Sequence, residues 1–303
     1  MDQPAAATLT PRAEGAAERV APDGLARPRP SWRSRTWRTY VTDVRTDTDA
    51  RAATSPATDR KMVVVFITAA VALTCSNFLS DGSNPQWFER ILRVVGLDGL
   101  ANRLNSALLT SSHSDFNQLV FWAVVVISCY TIPAALVIRF VLHERVTDYG
   151  VRARGILPHL KSYAALFAIA APLIVLASFA ASFQDRYPFF HPAAGQSLWP
   201  YLYIWWALYW LQFCALEFFF RGFLLYGLAP RLGWAAIFAM VLPYNMLHYG
   251  KPMPEALAAI VGGIVLGSLA LKTRSIWWGA ALHISIAVTM DVCALTHAGR
   301  VFG

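Results

Sequence analysis

Five ionisable residues, Glu217, Arg221, His248, His283 and Asp291, stand inside apolar runs of the chain. A charged group costs roughly 2.5–3.5 kcal/mol or more at the centre of a bilayer, so in membrane spans such residues need a purpose. Glu217 and Arg221 are spaced i, i+4, which puts them on one helix face within pairing reach. A carboxylate oriented by a cation, with a histidine close by, is what a water-activating general base requires. Two other uses fit the same residue types: a proton relay along an ion pathway, and a polar cluster that only neutralises itself. Depth favours convergence. Glu217 lies 12 residues before Ala229 and His248 lies 15 after Gly233, about 18 and 22 Å from the same turn at 1.5 Å per residue. His283 follows Arg274 by nine residues, some 13–14 Å in from the same face.

These residues need helices to carry them through lipid, and the composition implies such helices. Only 15% of the 303 residues are charged, against 56% hydrophobic, where soluble proteins run at about 25% charged. That excludes a disordered chain and a nucleic-acid-binding domain built on dense Lys and Arg. With eleven Trp, it fits a polytopic membrane protein. Seven apolar stretches lie near 62–80, 117–138, 163–183, 198–228, 234–249, 256–271 and 275–296. The expected fold is therefore all-α, a bundle of about seven transmembrane helices. Segment 86–109 adds an interfacial amphipathic helix, with Trp87, Phe88, Ile91, Leu92 and Val95 on one stripe.

Residues 1–61 hold 11 of the 26 Lys and Arg and 8 of the 18 Asp and Glu, without an apolar period. They read as a disordered basic tail ahead of a membrane domain at 62–303. Arg27, Arg29, Arg33, Arg35 and Arg38, interleaved with Trp32 and Trp37, suit either a solvated tail or one grazing an anionic surface. Basic residues recur at 139–161 (Arg139, Arg145, Arg152, Arg154, Lys161), at Arg231 and at Lys272 and Arg274. This alternation puts the N-terminus in the cytoplasm and the C-terminus outside. Cys75, Cys129, Cys214 and Cys293 are isolated packing residues with no ligand or disulfide spacing. Ala259, Gly263 and Gly267, at intervals of four, are a helix-packing stripe.

Leu216-Glu217-Phe218-Phe219-Phe220-Arg221 resembles the Glu-Glu-x-x-x-Arg motif of the CPBP intramembrane proteases, the family of the type II CAAX prenyl endopeptidases and bacteriocin-processing proteins. Tyr244-x-x-x-His248 looks like its second motif, and Gly263 through Leu282 and His283 resembles the approach to its third. The resemblance covers about 200–296, a CPBP-like core within 198–296. Two positions depart from the pattern: Leu216 stands where the family's first glutamate carries the base role, and Ala287 where it has Asn or Asp. Asp291, four residues further on, is placed to supply that polar group about one turn displaced.

The resemblance, together with the residues, implies hydrolysis of a peptide bond in a membrane-associated protein or peptide. In that reading Glu217 takes a proton from water, His248 positions the water, and His283 with Asn245 stabilises the oxyanion. Arg221 holds Glu217 ionised against desolvation, and Asp291 orients His283 or binds a polar substrate group. Phe218, Phe219 and Phe220 are packing residues. No cofactor is expected, the alternative being a metal held by Glu217, His248 and His283. The expected partners are the bilayer and a membrane-anchored substrate, with no nucleic acid, and the expected location is a bacterial inner membrane. The alternatives are an inactive CPBP-like immunity or chaperone-type protein and a small proton-coupled transporter.

Overall fold

The structure, a computed structural model, describes residues 38–153, 157–190 and 197–299. Most of the tail, Arg27 through Trp37 included, therefore lies outside the described residues, as do Arg154, His191 and Arg300. Among the described residues six helical stretches are long and apolar enough to cross a membrane, and the fold is all-α. Helix α1 covers Asp43–Arg51 and α2 covers Pro56–Leu79. The start of α2 is written in the sequence: Ser55 and Thr58 cap each other's backbone N–H groups at 3.2 and 3.0 Å, and Pro56 takes the first turn. Its apolar residues run all round the helix, as a lipid-facing span requires.

Two short helices follow, α3 at Gln86–Val94 and α4 at Asp98–Asn105. In α3 Leu92 turns inward while Trp87, Ile91 and Val94 are exposed, the pattern of an interfacial amphipathic segment. Helix α5 spans Ser114–Leu136 and continues to Val141 as a π turn, and α6 spans Leu160–Ala177. Helix α7 covers Tyr201–Glu217, passes into a π-helical stretch at Phe218–Tyr226, and ends in α8 at Gly227–Leu232. The chain reverses at Gly233 into α9, Ala236–Met246, and then crosses as α10, Met253–Thr273, and α11, Trp277–His297.

The difference from about seven spans lies at that reversal. The fourth and fifth expected spans form one helical stretch, Tyr201–Met246, folded back on itself. Its returning limb α9 has eleven residues, about 16 Å of helix, which is half a bilayer core. Gly263 and Gly267 of α10 let this short limb approach: a Cβ at either would sit 3.0–3.2 Å from Val241, Tyr244, Met240 or Ile237 side chains. The small-residue stripe is thus a packing surface. Phe219, Phe220 and Phe223 are fully buried and knit α7 to α2 and α5, with Tyr130 stacked on Phe219 at 4.8 Å between ring centres.

The reading of 1–61 as one disordered tail is corrected over its last third. Residues 43–51 are helical, α2 begins at Pro56 rather than near 62, and α1 docks on the reversal. Polar anchors hold it there rather than an apolar face. Asp49 accepts a hydrogen bond from the Trp234 backbone N–H at 2.7 Å, and Ala53 N–H donates to the Pro230 carbonyl at 2.9 Å. Gly233, at φ +57°, is pressed so closely by Asp49 that a side chain there would collide with the carboxylate. This end of the bundle, where α1 docks, is its tail end.

Candidate functional site

Glu217 closes α7, and Arg221 lies one turn on, in the π-helical stretch, a rare geometry frequent at functional sites. Both are buried, at 1% and 0% side-chain exposure, with Arg221 Nη1 3.0 Å from Glu217 Oε1. The guanidinium also lies 4.1 Å over the Tyr244 ring. None of its three nitrogens makes an aligned hydrogen bond, so charge and ring contact hold it rather than directional bonding.

His283 reaches the same carboxylate from α11, its Nδ1 2.9 Å from Glu217 Oε1, although the N–H direction is off the oxygen. Its ring stacks on Phe213, 5.2 Å between centres and 4° from parallel, which fixes its plane. On its other edge Nε2 lies 3.1 Å from the Tyr244 hydroxyl. His248, in the turn after α9, directs Nδ1 to the Tyr244 carbonyl at 3.2 Å. A carbonyl only accepts, so this bond puts the His248 hydrogen on Nδ1 and leaves Nε2 as an acceptor.

A cavity of about 590 Å³ opens beside this cluster. Its wall includes Tyr244, His248, His283, Gln212 and Leu216 within an otherwise largely apolar lining. Neither Glu217 nor Arg221 lines it. Neighbouring residues on a helix point about 100° apart, so Leu216 meets the cavity while Glu217 turns back towards Arg221 and α11. The structure therefore brings Glu217, Arg221 and His283 together, but with the histidine between the carboxylate and the cavity. Also on the wall, Lys251 Nζ pairs with Glu255 at 2.6 Å and the Tyr187 hydroxyl donates to Glu255 at 3.0 Å.

The remaining sequence candidates stand apart. Asp291 is fully buried, and both its oxygens are engaged, accepting from Phe189 N–H at 3.1 Å and Trp206 Nε1–H at 3.0 Å. It secures the connection before α7 and does not take up the polar role near His283. Asn245 sits on α9 with its Oδ1 buried and unbonded, and it is not on the cavity wall. Among the described residues no group of three or more His, Cys, Asp or Glu is disposed to hold a metal ion.

Two residues take parts that the motifs alone did not assign. Tyr244, the aromatic residue of the second motif, puts its hydroxyl on His283 Nε2 at the cavity wall. Gly279 lies one turn before His283, and a Cβ there would strike Glu217 Oε2. Gly279→Ala is expected to cost about 1–3 kcal/mol through overpacking and to displace the carboxylate from His283. Thermal unfolding in detergent reads the first effect, and loss of activity out of proportion to the lost stability reads the second.

No curated protein and no solved structure matches the chain. Residues 197–289, which contain Glu217, Arg221, Tyr244, His248, Gly279 and His283, match the family model described as type II CAAX prenyl endopeptidase Rce1-like, a protease family consistent with the CPBP proteases.

Proposed function

We propose that the protein is an intramembrane endopeptidase that hydrolyses a peptide bond of a membrane-associated protein or peptide in the cavity lined by His248, Tyr244 and His283. One observation carries this reading: a histidine on the cavity wall is backed by a buried carboxylate, with a hydroxyl on its far nitrogen. With its hydrogen on Nδ1, the nitrogen 2.9 Å from Glu217, His283 presents an Nε2 lone pair, to which Tyr244 O–H donates. The Tyr244 oxygen accepts in turn from a water in the cavity, and His248 Nε2 accepts that water's other hydrogen.

As the water oxygen attacks the substrate carbonyl, its proton passes to the Tyr244 oxygen while the Tyr244 proton passes to His283 Nε2. Glu217 stabilises the imidazolium that forms, as a carboxylate does behind a catalytic histidine. The proton returns by the same route to the leaving amine when the C–N bond breaks. Arg221 keeps Glu217 charged by proximity. The general-base role expected of Glu217 is thus exercised through His283. The apolar lining suits a hydrophobic peptide segment, such as a C-terminal sorting tail or a leader, in a bacterial inner membrane with the tail end cytoplasmic. That orientation rests on Arg139, Arg145, Arg152, Lys161 and Arg231 falling at one end.

Glu217→Gln and His248→Ala test the reading. Each is expected to abolish or strongly reduce processing of membrane-anchored precursors expressed beside the protein. Unchanged processing in folded, normally expressed variants would sink it and leave a binding role for the cavity.

A further inference from the structure

A second pocket, of about 210 Å³, lies at the tail end and is independent of the His283 cluster. Its wall is closed by α1, which contributes Thr48 and Arg51, and by Lys61, Glu144, Tyr149 and Arg274 from the span ends. The carboxylates here are spoken for. Glu144 receives Lys61 Nζ at 2.8 Å and the Tyr149 hydroxyl at 2.5 Å, and Asp148 receives Arg152 at 2.5 Å. Burial and Glu144 push the Tyr149 phenol up, so it stays protonated and donating. The other two cations on the wall have no acid. Among the described residues neither Arg51 nor Arg274 forms an ion pair, and Arg274 only rests 4.6 Å over the Tyr226 ring.

The backbone positions of both arginines are fixed, while their side chains are exposed and free to reach a ligand. Arg274 caps α10 in the left-handed region at φ +53°, followed by Ile276 N–H bonded to the Gly150 carbonyl at 3.0 Å. Arg51 ends α1, which Asp49 and Ala53 fasten to the reversal. Lys61 lies in the second turn of its span, and Leu271, also on the wall, in the last turn of another, so the pocket lies between span ends.

We infer that this pocket is a binding site for a phosphate group, with Arg51 from α1 and Arg274 from the end of α10 as its cationic partners. The volume of about 210 Å³ admits a phosphate with a small ester substituent. Guanidinium forks match phosphate oxygens in pairs, and basic pockets between span ends select anionic headgroups. The phosphate can belong to a lipid or be free in solution.

The test uses the full chain in neutral detergent, with phosphatidylglycerol, phosphatidylcholine and inorganic phosphate as separate additions and thermal unfolding as the readout. Phosphatidylglycerol is expected to raise the melting temperature more than phosphatidylcholine does. Arg51→Gln and Arg274→Asn are each expected to weaken the apparent affinity by about tenfold, asparagine being chosen because it tolerates the left-handed backbone. Removing two charges elsewhere at the same end, Arg139→Gln with Lys272→Gln, is expected to leave the effect intact. Stabilisation by phosphatidylglycerol alone identifies a lipid headgroup, and stabilisation by inorganic phosphate as well identifies a soluble anion. No preference for the anionic lipid or phosphate in the unaltered protein, or the same preference in the Arg51 and Arg274 variants, overturns the site.

Discussion

Glu217→Ala is expected to destabilise the bundle by about 3–5 kcal/mol, the cost of leaving a buried charge without its partner. Arg221 is fully buried, and among the described residues Glu217 is its one ion-pair partner. Removing the acid leaves a guanidinium whose nitrogens already lack aligned hydrogen bonds. The Tyr244 ring is then its remaining attraction, worth about 2 kcal/mol when desolvated, too little to replace the carboxylate. The paired replacement Glu217→Leu with Arg221→Met is expected to recover most of the loss, because buried ion pairs often exchange for apolar residues at no cost. An exposed pair such as Arg152 with Asp148 provides the internal control, since its removal is expected to cost less than about 1 kcal/mol. Melting temperatures of the four proteins in one detergent check the series. A Glu217→Ala cost as small as that of the exposed pair would mean that the guanidinium had found water or another acid.

The same pair shows which parts of the site were legible in sequence. Glu217 and Arg221 could be read because i, i+4 spacing on a helix forces proximity whatever surrounds it. His283 could be read from its depth along α11. What depth could not fix was rotation. Asp291 lies deep as expected, yet eight residues turn it about 80° from His283, where Trp206 and Phe189 N–H receive it. Leu216 and Glu217 show the same limit in the opposite sense, because one helical step decides which of them meets the cavity. The docking of α1 left no trace in any local window. Only Val44 is buried in it, and its anchors are polar contacts to residues some 180 positions away. The end of α9 was less legible, since the apolar stretch 234–249 continues past Met246, where the helix stops.

His283→Ala is expected to reduce turnover by about 10²–10⁴, the range for loss of a positioned acid–base group, while leaving the fold intact, since the side chain is partly exposed to the cavity. The sharper experiment is Tyr244→Phe. Phenylalanine keeps the ring beneath Arg221 at 4.1 Å and the carbonyl that orients His248, and it removes only the hydroxyl 3.1 Å from Nε2. If the water's proton travels through that hydroxyl, Tyr244→Phe loses about 10²-fold or more in kcat with little change in KM or melting temperature. A purely structural tyrosine would show the reverse, a lower melting temperature with kcat preserved. Glu217→Gln separates the carboxylate's charge from its shape: it keeps the size of the side chain but neither stabilises the imidazolium nor pairs with Arg221, so a defect in kcat is expected beside a lower melting temperature. If His283→Ala is inactive while Tyr244→Phe keeps full kcat, water meets Nε2 directly and the hydroxyl has no part in the transfer. If both retain kcat, His283 is not the base, and His248, the other histidine with an acceptor nitrogen on the wall, takes its place.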